Sequence, residues 1–262
     1  MLAHIAWLTD LSSSAARCEG PILALSRLAD AEVHIVHALG QHPEGRDRAF
    51  AELQGMAQRL SEQGVNARPV VSESTPEAWA HAFSHPRGML AVGRTGQRGL
   101  DRLILGSSTE KILREATQPV LVSGPRKSFD GLQSILCGVD PDHESHAIEA
   151  ALDLALAAGA PVTFLHAVNV DKVLDDDQVI EDMRALVRSA LSPGQAEQLK
   201  ATFEVGRAAG PAEGIIAVAQ KHSLTVVGSK GRRGIARFVL GSVAEQVARA
   251  APTPVLVVPE RD

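Results

Sequence analysis

Two segments of the chain carry glycines at a spacing suited to holding phosphate. Residues 93–125 read GRTGQRGLDRLILGSSTEKILREATQPVLVSGP, and residues 228–260 read GSKGRRGIARFVLGSVAEQVARAAPTPVLVVPE. Both contain Gly-x-x-Gly, nine residues, then Gly-Ser: Gly93, Gly96, Gly106 and Ser107 in one, Gly228, Gly231, Gly241 and Ser242 in the other. The chemistry on offer is anion binding by backbone N–H groups. The first glycine ends an apolar run, where a side chain would stand in a ligand's way, and the second lets successive N–H groups turn inward. Gly-Ser then opens a helical stretch, with Ser107 and Ser242 as N-cap candidates and Glu110 and Glu245 placed to complete a capping box. A helix N-terminus presents free N–H groups and the positive end of the helix dipole, which suits phosphate. A single copy could be nothing more than a tight turn and a cap. Two complete copies, each between a buried strand and a capped helix, favour phosphate binding.

The side chains around these loops are less decisive. Lys230 lies between two glycines but makes no Gly-Lys-Ser/Thr, so a P-loop mechanism is not supported. Arg98, Arg102, Arg232, Arg233 and Arg237 flank the loops, either to screen a triphosphate or simply as exposed cations. His37 and His166 sit inside apolar runs with no local partner ligand and read as hydrogen-bonded structural histidines rather than metal ligands. Asp142, His143, Glu144 and His146 could hold a Mg²⁺ brought with a nucleotide, although a solvated helix start is the better reading. No nucleophile–base pair, Gly-x-Ser-x-Gly elbow or His-Glu-x-x-His helix is found. Catalysis is therefore expected to be absent or limited to slow turnover of a bound phosphate compound by positioning.

The elements that must position the loops repeat as well. Ile5–Asp10 resembles Ile135–Asp140, and His34–Ala38 resembles Thr163–Ala167. Each half reads as a short apolar strand ending in Asp, a helix (Pro21–Ala29; His146–Ala158) and a second strand (Val33–Ala38; Val162–Val168). A variable helix follows (Arg46–Gln63; Asp175–Ala190), then a third strand (Ala67–Val71; Thr202–Val205) and a further helix. The fourth strand (Met89–Val92; Leu224–Val227) leads into the glycine loop, a helix (Ser107–Ala116; Ser242–Ala250) and a fifth strand. Strands alternating with helices imply right-handed crossovers and a parallel sheet. Continuous rather than alternating apolar strands imply helices on both faces. The expected division is 1–126 and 132–262, joined by the polar, Gly-containing link Arg126–Gly131.

Composition narrows the classes. Among 262 residues 45% are hydrophobic and 22% charged, which suits two globular domains of about 130 residues each. A formal net charge of −5 and the lack of any Tyr argue against nucleic acid or an anionic membrane as partner. Cys18 and Cys137, one per half, cannot build a disulfide framework or a cysteine zinc site. The opening MLAHIAWLTDLSSS lacks the features of a signal peptide, and no apolar run is long enough to span a bilayer, so a cytoplasmic location is expected.

With these motifs in place, the chain resembles the ATP-binding branch of the universal stress protein family, arranged as a tandem pair over nearly its whole length. The resemblance implies two Rossmann-like α/β domains, each a five-stranded parallel sheet of order 3-2-1-4-5 with helices on both faces. The ligand crevice then lies between strands 1 and 4, where the strand order reverses. It implies ATP as the ligand, in a stress-response sensor or switch; a Mg²⁺ brought with the ATP is the cation that the Asp142–His146 cluster could hold. Asp10 and Asp140 would approach the adenosine end, and Ala38 and Ala167 would present backbone to adenine. Gly93, Gly96, Gly106, Ser107, Ser108 and Thr109 would serve the phosphates in the first half, and Gly228, Gly231, Gly241, Ser242 and Val243 in the second. The family's Gly-x-Pro after strand 3 is approached by Val205-Gly206 and Gly210-Pro211, whereas the first half has Val71-Ser72-Glu73-Ser74-Thr75-Pro76. Glu73 would bring an unwelcome negative charge, so the second site is expected to bind better. Alternatives are a slow ATP hydrolase or transferase, or a dimerisation scaffold with empty sites.

Each half also ends in an apolar strand, Pro119–Val122 and Pro254–Val258. In the resembled family this edge strand mediates dimer contacts. The expectation is that the two strands pair within one chain; a homodimer of the whole chain is compatible with this but not required.

Overall fold

A computed structural model describes residues 2–40, 45–83, 85–95, 104–124, 129–142, 146–229 and 240–260. The chain divides into two units, 1–131 and 132–262. In the first, the apolar run at the start forms β1 (His4–Leu8), with every residue after His4 buried. It is followed by α1 (Ser13–Ala16), α2 (Glu19–Ala29), β2 (Glu32–Ala38), α3 (Arg46–Glu62), β3 (Ala67–Ser72), α4 (Pro76–Ala82), β4 (Gly88–Val92), α5 (Ser107–Glu115) and β5 (Val120–Val122).

The second unit repeats the plan with β6 (Ile135–Gly138), α6 (His146–Ala158), β7 (Val162–Asn169), α7 (Asp176–Ser189), α8 (Pro193–Gln198), β8 (Ala201–Ala208), α9 (Pro211–Ala219), β9 (Leu224–Gly228), α10 (Ser242–Ala250) and β10 (Val255–Val258). The pairings are parallel throughout and give β3-β2-β1-β4-β5 in one unit and β8-β7-β6-β9-β10 in the other. This is the expected α/β architecture and strand order.

The order follows from where apolar surface must go. β1, β4, β6 and β9 occupy sheet centres, and the buried cores are built on Ile5, Trp7, Leu90, Ile135, Leu136 and Val226. Burying each such side chain contributes about 1.5–3 kcal/mol before entropy is counted. β8, at one sheet margin, instead alternates: Thr202, Glu204 and Arg207 face solvent while Phe203 stacks on Phe164 of β7 with ring centroids 5.4 Å apart. Right-handed crossovers place α2 and α3 on one face of the first sheet and α4 and α5 on the other; α4 packs on α5, and α9 likewise on α10. The order in which strands are added therefore reverses between β1 and β4, and between β6 and β9. At each reversal the strand ends open a crevice.

Two elements escape the sequence pattern. α1 is a single turn capped by Ser12, whose hydroxyl accepts from Ala15 N at 3.2 Å. α8 is closed by Ser192 and Gln195 in a capping box. Both are too short for hydrophobic periodicity to reveal. Among the described residues no helix is long and apolar enough to cross a membrane.

Candidate nucleotide-binding site

The two glycine motifs end up at the same place in each unit. In the second, β9 runs out at Gly228, and the next carbonyl, of Ser229, accepts from Gly241 N at 2.7 Å. In the first, the carbonyl of Arg94 accepts from Gly106 N at 2.9 Å. Each bond ties a residue one or two places past the strand to the residue before the helix, so α5 and α10 start beside the ends of β4 and β9. Gly96 and Gly231, with Lys230, Arg98, Arg102, Arg232, Arg233 and Arg237, lie outside the described residues, as do His143 and Glu144.

The helix starts differ from expectation by one residue. The N-caps are Gly106 and Gly241, both extended near φ −64°, and Ser107 and Ser242 are already the first helical residues. The closing bonds are the reason: they fix each glycine in the cap conformation and leave the serine inside the helix. The first helical bonds run from Glu110 N to Gly106 O and from Glu245 N to Gly241 O, both 2.9 Å. The N–H groups of Ser107, Ser108 and Thr109, and of Ser242, Val243 and Ala244, therefore have no acceptor within their own helix. Glu110 and Glu245 form no capping box; they pair with Arg114 and Arg249 one turn on. A glycine cap leaves more open space for an anion than a serine cap would.

Across the crevice, Asp10 and Asp140 follow β1 and β6 and are half-buried. Each carboxylate accepts from the backbone two residues on, Ser12 N at 3.0 Å and Asp142 N at 3.3 Å. The strand-2 histidines hold this corner from behind. His37 Nδ1 lies 2.8 Å from Thr9 O, and His166 Nδ1 lies 2.9 Å from Val139 O, so each ring ties down the peptide just before the aspartate. Both histidines are thus hydrogen-bonded within the fold, as expected of them. Ala38 is the last residue of β2, whereas Ala167 lies within β7 opposite Gly206, its methyl packed towards Gly214 of α9.

The units then diverge. In the first, α1 lies directly against the end of β4: a Cβ on Gly93 would come within 2.9 Å of Ala15 N and 3.0 Å of Ala15 Cα. Gly93 is thus required by the chain's own backbone. Thr95 N donates to Ser14 Oγ at 3.2 Å, Ser123 Oγ donates to Ser14 O at 3.2 Å, and Arg94 N donates to Ser123 Oγ at 3.2 Å. The Thr109 hydroxyl donates to Gly93 O at 2.7 Å.

Charge differs too. Glu73 is exposed and pairs with Arg46 at 3.1 Å, but Glu77 of α4 lies near enough to Ser108, at the start of α5, for that hydroxyl to stabilise its charge. Burial works against the Glu77 charge; the Ser108 bond and local N–H and hydroxyl donors outweigh it and hold the carboxyl below its usual range. The matching position in the second unit is Ala212. Arg94 is only 7% exposed, and burial together with Arg17 lowers its guanidinium to about 10.

Ser14, Glu77, Arg94 and Ser123 were not legible as site residues. Ser14 sits in an ordinary serine run and Glu77 in an ordinary first helical turn, and only the crossover topology brings them to the glycine loop. On the α2/α3 side of β1 there is also a cavity of about 410 Å³ lined by Thr9, Leu11, Ser12, Glu19, Gly55 and Arg59.

Known proteins agree with this architecture. The model of the universal stress protein family matches residues 1–123 and again 131–259. A universal stress protein of Mycolicibacterium smegmatis is 33% identical over 66% of this chain and 62% of its own length, so the chain spans under two thirds of that relative. One of Mycobacterium tuberculosis is 28% identical over 95% of this chain and 93% of its own. Among solved structures, a universal stress protein from Archaeoglobus fulgidus superposes over 98% of both chains with a TM-score of 0.78 at 19% identity, a likeness of fold. Matched in this way along both units, the chain belongs to the universal stress protein family, as a tandem pair of its domains.

Proposed function

We propose that the second unit binds ATP and that the chain serves as a nucleotide-dependent sensor or switch in a stress response. The observation that supports the reading is the Ser229–Gly241 closure, which brings the start of α10, where the N–H groups of Ser242 and Val243 have no acceptor within the helix, beside the end of β9. Triphosphate oxygens would take these groups, with Gly228, Gly231 and Gly241 leaving room for them. Asp140, across the crevice, would accept from hydroxyls at the adenosine end, and the backbone near Ala167 would face the base. Mg²⁺ would travel with the triphosphate. No step of hydrolysis is assigned, because among the described residues no side chain stands out as a base for water.

The first unit supports binding less well. Asp10, Ala38, Gly93, Gly96, Gly106, Ser107, Ser108 and Thr109 recur there, but the backbone of Ala15 lies against Gly93, and the Glu77 carboxylate shares the start of α5 with Ser108. A second negative charge there opposes phosphate. The test is the nucleotide content of the purified chain by mass spectrometry, then calorimetric titration with ATP. One ATP per chain, lost in Asp140→Ala and kept in Asp10→Ala, supports the reading; no binding by the folded chain overturns it.

A further inference from the structure

At the opposite end of the first sheet, where β1 and β2 begin, three side chains converge. His4 and Glu32 are direct partners across the β1–β2 pair, and His34 lies two residues beyond Glu32, so all three project from one face. His34 Nε2 is 3.1 Å from Glu32 Oε2, and His4 Nδ1 is 3.6 Å from the same oxygen. All three ligand atoms lie within 4.8 Å of one another, the one such group of three among the described residues. Their side chains are 26%, 17% and 22% exposed, half-sunk but open on one side. His4 Nδ1 is itself buried and makes no hydrogen bond.

We propose that His4, Glu32 and His34 form a site for a divalent transition-metal ion, Zn²⁺ in the first instance. Four-coordinate zinc with N and O ligands at about 2.0–2.2 Å places neighbouring ligand atoms about 3.3–3.5 Å apart. The two edges to Glu32 Oε2 fall on either side of that length, and the third, between the two imidazole nitrogens, is no longer than 4.8 Å, with the histidine χ2 torsions soft enough to adjust. Two imidazoles and one carboxylate are a zinc donor set, and imidazole selects against Mg²⁺ and Ca²⁺.

Glu32 is already oriented for the task. Arg68 Nε donates to its other oxygen, Oε1, at 2.7 Å and leaves Oε2 directed at the two rings. Outer contacts of this kind fix ligating carboxylates in metal sites. The His85 ring packs on His4, with centroids 3.9 Å apart, and screens one side. Water would complete the four-coordinate shell.

The second unit supplies an internal control. There the same strand positions hold Ser134, Pro161 and Thr163. The fold evidently stands without two histidines and a glutamate at this place. An unpartnered buried imidazole nitrogen costs stability, and a metal would satisfy it.

The test uses the full chain, stripped with a chelator and titrated with Zn²⁺ in competition with a chromophoric chelator; Co²⁺ in its place gives visible absorption bands diagnostic of coordination geometry. One equivalent is expected. Glu32→Gln, His4→Gln and His34→Gln should each weaken it at least as much as loss of an outer-shell partner does, about 10–100-fold, with unchanged circular dichroism. The exposed His81→Gln is the control, since the chain has 10 histidines. Failure of the stripped wild type to bind, or equal binding by the folded variants, which would mean an adventitious ion only, overturns the site. None of these outcomes depends on ATP.

Discussion

The Thr109 hydroxyl donates to the Gly93 carbonyl oxygen at 2.7 Å, stitching the start of α5 to the end of β4, and the second unit has no counterpart because the matching position is Ala244. In that unit the closure seen among the described residues is a backbone bond, from Gly241 N to Ser229 O. Thr109→Ala therefore makes the first unit resemble the second and leaves a strand-end carbonyl short of a donor. The expected loss of unfolding free energy is about 1–2 kcal/mol. Equilibrium denaturation in urea measures it. Affinity for ATP should not change, since the hydroxyl is engaged within the protein.

The asymmetry between units gives a second expectation. Glu77→Ala copies Ala212 of the second unit and removes the carboxylate that Ser108 meets at the start of α5. If like charge is what keeps phosphate from the first unit, this variant should raise the titrated stoichiometry from one ATP per chain towards two. A stoichiometry fixed at one would shift the cause to α1, whose Ala15 backbone lies against Gly93.

How much of this was visible in the residue pattern can be traced through particular positions. The alternation of strands and helices and the place of the glycine loops follow from repeated apolar runs and Gly-x-x-Gly, signals carried by periodicity and by residues with special backbone freedom; the sheet order and its crevice come from the family resemblance those motifs carry. The Gly-Ser cap was read one residue late. Serine is the stronger capping type in general, but here a hydrogen bond from a glycine N–H to a residue twelve positions upstream decides the cap. The asymmetry was expected on the strength of Glu73, whose charge is answered by Arg46; the carboxylate that reaches the loop is Glu77. Neighbouring positions on one chain segment differ in reach because α4 begins between them at Pro76. The His4, Glu32 and His34 group is invisible in one dimension, since it needs the β1–β2 register to form.

Gly241→Val tests the phosphate path without breaking the fold. Gly241 has φ −64° and ψ 142°, a conformation that any residue adopts, so the substitution brings no backbone strain. A branched side chain at the cap would nevertheless crowd the N–H groups of Ser242 and Val243. ATP affinity is expected to fall at least tenfold, about 1.4 kcal/mol, with little change in melting temperature. Calorimetric titration beside a thermal melt separates the two effects. Unchanged affinity in the folded variant would remove α10 from the site.

The last expectation concerns alkaline pH. Cys18 is fully buried, and its Sγ donates to Val92 O at 3.2 Å. Burial pushes its thiol from about 9 up to about 12, against a smaller opposing effect of hydrogen bonds with Ser123. Burial raises Cys137 as well. A group whose folded value lies above its unfolded one contributes stability that is fully present below the unfolded value and is lost as pH climbs towards the folded one. Above pH 9 the unfolded thiols ionise while the native ones keep their protons. Each thiol then removes about 1.4 kcal/mol of stability per pH unit. The chain has no Tyr to add its own alkaline titration. Urea midpoints between pH 8 and 10.5 should fall, and Cys18→Ala should fall less steeply across the same range, whatever its stability at neutral pH. A thiol reagent at pH 8 should label neither cysteine in the native protein and both on unfolding. Rapid labelling of the native chain, or parallel slopes for wild type and Cys18→Ala, would show that the Cys18 thiol is not held in this way.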